Sequence, residues 1–209
     1  QYTFLGAVKY SNSATATVLQ SLNVIIMAVL VAARNRKRMS AAQTAAVFLA
    51  LAGTYLIATG GDPGSMDLSA AGLIFGILAA VGVVTYTLLS RPIISTHGNL
   101  PVTGWGMLIG GAVLFLASGA WIRPEGLDLT AWVMIAIIVL IGTAGGFSAF
   151  LEGVRYIGPV KATLIGCLEP ASATVLSSLF LRTRFMPAEL IGFCAIILTV
   201  FLSVSGKKE

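Results

Sequence analysis

One carboxylate stands out in this sequence because it lies deep inside a long apolar run. Glu169 is about ten residues from either end of the run 159–181, which is about 15 Å along a helix. A charged side chain at that depth in a bilayer costs at least about 2.5–3.5 kcal/mol, so such residues usually have a function. The chemistry that fits is proton uptake and release, or binding of a cationic group. The alternative is a protonated glutamate that hydrogen-bonds to a neighbouring helix.

Further polar residues occur next to Glu169 and in a second apolar run. Pro170 removes a backbone donor in mid-helix and frees the carbonyl of Gly166, which either faces a cavity or accompanies an ordinary proline kink. Gln20 and Asn23 lie in the second run. They either line the same cavity or make interhelical hydrogen bonds, which are worth only about 0.6 kcal/mol on average.

Two tyrosines, Tyr10 and Tyr156, complete the candidate binding set, with anchoring at a membrane interface as the alternative. We predict no metal and no cofactor. The single histidine, His97, falls in a predicted loop, and Cys167 and Cys194 lack metal-ligand spacing. Zinc-protease, nucleophile-elbow and phosphate-loop motifs are missing from the sequence, so we predict that the protein is not an enzyme.

The elements that position these residues are predicted to be membrane-spanning helices. Hydrophobic types make up 57% of the 209 residues and charged types only 10%, against about 25% charged in an ordinary soluble domain. The net charge is +5, but no basic face with interleaved aromatics appears. We therefore expect the lipid bilayer, and no nucleic acid, as a partner. The fold class is all-α, a polytopic transmembrane helix bundle.

The apolar runs predict seven full spans, since a span needs about 20 mostly apolar residues. The segment Gln1–Tyr10 is predicted to be the tail of an eighth span. Short connections carry turn-forming residues, and we place one of them at Arg91-Pro92. The seven windows are 12–33, 41–59, 70–90, 102–122, 130–154, 159–181 and 187–205.

The distribution of Lys and Arg predicts the orientation of the spans. If the loop 34–38 is cytoplasmic and each window crosses once, nine basic residues lie inside and four outside. We therefore expect a multi-pass protein of the cell membrane with a cytoplasmic C-terminus. The outside set is Lys9, Arg123, Arg182 and Arg184, and the inside set is Arg34, Arg36, Lys37, Arg38, Arg91, Arg155, Lys161, Lys207 and Lys208.

The sequence also contains an internal repeat. Segment 4–60 aligns without a gap on segment 150–206, an offset of 146 residues, and shared polar positions include Tyr10 with Tyr156. Window 12–33 then matches a window five spans later, so equivalent helices cross in opposite directions. Inverted repeats are typical of secondary transporters, which bind substrate near the midplane between the halves. We expect part of a first repeat over 1–61, a complete second repeat over 70–206, and a ten-helix parent whose first spans this N-terminally truncated chain lacks.

The second copy resembles a known family. Tyr156, Ala162 and Leu168-Glu169-Pro170, followed by Ile191-Gly192, are similar to the second half of an EamA-type transporter of the drug/metabolite transporter superfamily. Segment Ala7–Ala14 resembles the corresponding element of the first half. The resemblance implies a two-repeat carrier, expected to be an exporter, that moves small metabolites, amino acids or drug-like compounds by alternating access. The chain departs from the family at 181–184, where Gly-Glu is common.

Other classes remain open at this point. A seven-helix receptor-like protein fits the span count, although a retinal protein needs a late-helix lysine that window 187–205 does not contain. A structural membrane protein is also compatible with the sequence. The expected partners of a carrier are a small-molecule substrate and, as a coupling ion, the proton. The sequence allows a monomer or a homodimer.

Overall fold

The computed structural model describes residues 1–36, 39–66, 69–118, 128–181 and 186–205. Within these ranges every regular element is helical, which confirms the predicted class. A short 3-10 turn covers Pro63–Ser65 and a π-helical segment covers Ile138–Gly145. The α-helices are α1 Tyr2–Tyr10, α2 Ser13–Ser21, α3 Asn23–Asn35, α4 Ala41–Thr59, α5 Ala70–His97, α6 Asn99–Ser118, α7 Leu129–Ile137, α8 Gly146–Ile157, α9 Pro159–Gly166, α10 Leu168–Leu181 and α11 Pro187–Ser205.

Several of these helices are long and apolar enough to cross a bilayer. In the described part of the chain they are Ser13–Asn35, Ala41–Thr59, Ala70–His97, Asn99–Leu116 and Leu129–Ile157. They coincide with five of the predicted windows. The window 159–181 is divided between α9 and α10, and the last window corresponds to α11. Parts of the topology prediction lie outside the described residues, namely Lys37, Arg38, Arg123, Arg182, Arg184, Lys207 and Lys208.

The connection predicted at Arg91-Pro92 is wrong, because both residues lie inside the 28-residue helix α5. His97, which was expected in a loop, is the last residue of that helix. An interior proline removes one backbone hydrogen bond, and membrane helices tolerate this loss when nearby hydroxyls and neighbouring helices satisfy the backbone.

The described chain forms two compact units, Gln1–Tyr86 with Ile157–Glu209, and Thr87–Tyr156. In the first unit the extensive contact is between α4 and α11. A Cβ atom on Gly53 would lie 2.8 Å from the carbonyl oxygen of Gly192, so the two backbones touch where side chains are absent. Farther along, the Thr199 hydroxyl donates to the Ala46 carbonyl at 3.3 Å. Gly53 contacts Gly192, whereas Ala46, which is earlier on α4, contacts Thr199, which is later on α11. These two helices therefore run antiparallel.

Helices in the two aligned segments begin and end at equivalent positions. Helix α4 corresponds residue for residue to α11, and α2 to α9 within one residue at its end. The N-termini of α4 and α11 are also capped in the same way. The Gln43 side chain accepts a hydrogen bond from the Ser40 N–H at 2.9 Å, and the aligned Glu189 side chain accepts one from the Met186 N–H at 2.7 Å. Both acceptors satisfy a backbone donor that a helix start leaves unpaired.

Candidate functional site

Two of the apolar runs are interrupted by a single residue that keeps a right-handed helical backbone, and we call these two positions helix breaks. Leu22 separates α2 from α3 with φ −58° and ψ −18°, and Cys167 separates α9 from α10 with φ −64° and ψ −9°. At each break the chain makes a tighter turn. The Leu22 N–H donates to the Leu19 carbonyl at 3.2 Å, and the Cys167 N–H donates to the Leu164 carbonyl at 3.3 Å. Such short 3-10 turns inside a helix often mark hinges or functional positions.

The two breaks occupy almost the same place in the aligned segments. Leu22 aligns with Leu168, the residue that follows the second break. Sequence reasoning expected an opened turn only beside Pro170, whereas the first copy has Val24 at the aligned position and breaks nevertheless. The polar residues around Leu22 were the only sequence signal of the first break.

Glu169 lies in the first turn of α10, directly after the second break, and is exposed. Its carboxylate makes no hydrogen bond or ion pair with the part of the chain that the structure describes. Its backbone carbonyl accepts a hydrogen bond from the Ser172 hydroxyl at 3.0 Å. Pro170, the next residue, is partly buried. Glu169 therefore presents a carboxylate that the described protein groups leave unneutralised.

The other carboxylates within the described ranges all have a partner. Asp62 and Asp128 each accept a backbone N–H at 2.8 Å at a helix start. Glu152 pairs with Arg155 at 3.2 Å, and Glu189 caps α11. These acids have structural roles that hold their local backbone or an adjacent side chain. Glu169 is therefore the described acid that is free to bind something else.

The first-copy residues Gln20 and Asn23 flank the Leu22 break and are both partly buried. Asn23 aligns with Glu169 in the repeat. Its side-chain oxygen Oδ1 is fully buried and has no hydrogen-bond partner among the described residues. An unpaired buried acceptor costs about 1–3 kcal/mol, so this atom requires an explanation.

Thr54 of α4 is a second residue with the same property, and sequence reasoning did not identify it. It is 2% exposed, and its hydroxyl oxygen has no partner in the described chain. No sequence pattern distinguishes it from the other threonines. Thr54 differs in its hydrogen bonding, because a helical threonine ordinarily donates to the carbonyl one turn earlier and Thr54 does not.

The helices that carry these residues pack together within the first unit. Helix α3 contacts α9 and α4, and α10 contacts both α4 and α9. The structure therefore brings the helices of Asn23, Thr54, Glu169 and Pro170 into one compact unit. These helices contribute the two helix breaks, one free carboxylate and two unpaired oxygens.

The tyrosines of the candidate set have local contacts of the same kind. Tyr10 stacks on Phe75 with ring centroids 5.6 Å apart, and Lys9 Nζ is 5.5 Å from the Tyr10 centroid. The Arg155 guanidinium carbon is 5.6 Å from the Tyr156 centroid. The Lys9–Tyr10 and Arg155–Tyr156 pairs have the geometry of cation–π contacts. Tyr156 belongs to the second unit and is 75% exposed, whereas the other candidate residues belong to the first.

Comparison with known proteins assigns the chain to a family. The EamA-like transporter family matches residues 70–205. The chain is 36% identical over 213 residues to an uncharacterized inner membrane transporter of Salmonella typhimurium, YicL. The alignment covers all of this chain and 70% of that protein. It is 26% identical over 190 residues to the uncharacterized transporter YcbK of Bacillus subtilis, covering 85% of this chain and 61% of the relative.

A transporter of Clostridium kluyveri, also uncharacterized, is 24% identical over 210 residues, covering 97% of this chain and 67% of the relative. The chain thus spans roughly two thirds of the length of these relatives. With its apolar helices and a family match that includes the whole of α9 and α10, the chain belongs to the EamA-like transporter family and is a multi-pass membrane transporter.

Proposed function

We propose that this protein is a secondary transporter that exports small metabolites, amino acids or drug-like compounds by alternating access, with Glu169 as its coupling or substrate-binding carboxylate. The observation that carries the proposal is the unneutralised state of this one acid beside a helix break. A carboxylate inside an apolar span must be hydrated, protonated or paired with a cation. A proton or a cationic substrate group meets that requirement, and either one can be released as access alternates.

The contact between α4 and α11 supports an inverted-repeat architecture. The pair Gly53 and Gly192 becomes the pair Thr199 and Ala46 when each residue is exchanged for its aligned counterpart, and both pairs are in contact. A two-fold axis exchanges contacts in this reciprocal way. The antiparallel course of these equivalent helices is what an axis in the membrane plane requires.

In this architecture residues 1–61 belong to the first repeat and 70–206 to the second. The breaks at Leu22 and Cys167 are then equivalent features of the two repeats. Each places polar groups beside the route that the substrate takes through the protein. Glu169 supplies the charge, Pro170 limits backbone pairing at the second break, and Gln20 and Asn23 supply neutral polar groups. Tyr10 and Tyr156 are kept as further candidate binding residues, each within its own unit. The C-terminus is assigned to the cytoplasm from the distribution of basic residues.

The test is efflux of a panel of isotopically labelled amino acids and small amines from cells that express the whole protein. Glu169→Gln keeps the shape of the side chain and removes its charge, so we expect it to abolish coupled efflux while membrane insertion is unchanged. Glu189→Gln is the matched control, because it removes a charge from a side chain that only caps α11. Wild-type efflux with unchanged pH dependence in Glu169→Gln would contradict the proposal.

A further inference from the structure

We propose that Asn23 and Thr54 form a second polar subsite that accepts hydrogen bonds from a primary ammonium group of the substrate. This inference rests on the transport function proposed above and specifies the substrate class. Asn23 Oδ1 and Thr54 Oγ1 are buried oxygens without a hydrogen-bond partner in the described ranges. The helices that carry them, α3 and α4, are in contact.

The hydroxyl of Thr54 differs from those of other helical threonines in this chain. Thr17, Thr59 and Thr163 donate to the carbonyl four residues earlier at 2.7 to 2.8 Å. Thr54 makes no such bond and is nevertheless among the most deeply buried residues. Its oxygen is therefore a buried acceptor whose usual partner is missing, and a ligand would reach it only when the surrounding side chains move.

The free groups on these helices define the chemistry of a ligand. Asn23 Oδ1 is an acceptor, Thr54 Oγ1 can accept, and the Glu169 carboxylate on α10, which also packs against α4, is an anionic acceptor. A ligand that complements them donates several hydrogen bonds and carries a positive charge. A primary ammonium has three N–H donors and one positive charge, and it matches both requirements. A quaternary ammonium has the charge but no donor, so it satisfies only the carboxylate.

This difference gives a direct binding experiment on the purified protein in detergent. The probes are propylammonium and tetramethylammonium at equal concentration, and the measurement is the shift in melting temperature. At equal concentration, the ligand with the higher affinity for the native state stabilises it more. We expect propylammonium to raise the melting temperature of the wild type clearly more than tetramethylammonium does.

Variants assign that difference to the subsite. Thr54→Val keeps the shape and removes the oxygen, so the apparent affinity for propylammonium should fall about tenfold, the equivalent of one good hydrogen bond. Thr54→Ser restores an acceptor and should bind within a few-fold of the wild type. Asn23→Leu should lose affinity as Thr54→Val does, and the weak response to tetramethylammonium should be unchanged in all three variants.

Two outcomes would overturn the inference. If Thr54→Val raises the melting temperature without ligand and responds to propylammonium as the wild type does, the oxygens are merely unpaired or hold a resident water. If neither probe stabilises the wild type, the ammonium class is wrong. Neither outcome affects the Glu169→Gln efflux result, so failure of this inference is distinguishable from failure of the proposed transport function.

Discussion

Gly53 and Gly192 approach each other so closely that a Cβ atom on either residue would lie within 2.8 Å of the other's carbonyl oxygen. The two glycines lie on α4 and α11, which are equivalent helices of the aligned segments. Because the obstacle is backbone, no side-chain rotation relieves it. The absence of two side chains therefore sets how near the equivalent helices can come, and α9 and α10 each contact both of them.

The first prediction tests this close approach. Gly192→Ala places a methyl group 2.7 Å from the Gly53 carbonyl oxygen, so the helices must move apart. Overpacking of this kind destabilises by about 1–3 kcal/mol. We expect a lower melting temperature of the purified protein in detergent. The control is Gly106→Ala on α6, where a new Cβ meets no described atom within 4 Å. Equal melting temperatures for Gly192→Ala and the wild type would show that α4 and α11 can separate without loss.

The second prediction tests the inverted topology. Ser40 and Met186 are aligned residues that directly precede α4 and α11, and both are exposed. In a background with Cys167 and Cys194 replaced by serine, we introduce single cysteines as Ser40→Cys and Met186→Cys. A membrane-impermeant maleimide added to intact cells should label the cysteine at 186 and should reach the one at 40 only after the membrane is opened. Labelling of both from the same side would exclude inverted repeats.

Much of the fold could be predicted from composition, because apolar runs of span length have few options in a bilayer other than helices. The helix limits also followed from local chemistry. Ser40 and Gln43 form a capping box that starts α4, and the Gly60 αL conformation ends it. The prediction failed at Pro92, because a proline signal indicates a turn in water-soluble chains and is tolerated inside membrane helices.

The candidate site could be predicted only where a residue type is improbable in an apolar run. Glu169 is such a residue, and Pro170 beside it marked the second break. The break at Leu22 carries no comparable signal, and Thr54 looks like any other helical threonine in the sequence. Its distinguishing property is a missing hydrogen bond, which depends on the rotamer and on neighbouring helices. That kind of information arises only from packing.

The third prediction concerns the cause of the helix breaks. The first copy breaks at Leu22 although it has Val24 where the second copy has Pro170, so proline is not required for this geometry. We expect the break at Cys167 to persist in Pro170→Ala, because packing of α9 and α10 against their neighbours holds it. Hydrogen exchange measured by mass spectrometry should show backbone amides 166–169 exchanging faster than those in the middle of α11, as in the wild type. Efflux should fall less than about tenfold.

The control for this experiment is Pro159→Ala, which alters a proline at the first position of α9, where no helical hydrogen bond is lost. It should leave exchange at 166–169 unchanged. If Pro170→Ala slows exchange at 166–169 to the rate of α11, the second break depends on its proline. The two copies would then reach the same geometry by different means, and the break could not be assigned to packing. Slow exchange together with lost efflux would show in addition that the helix break is needed for transport.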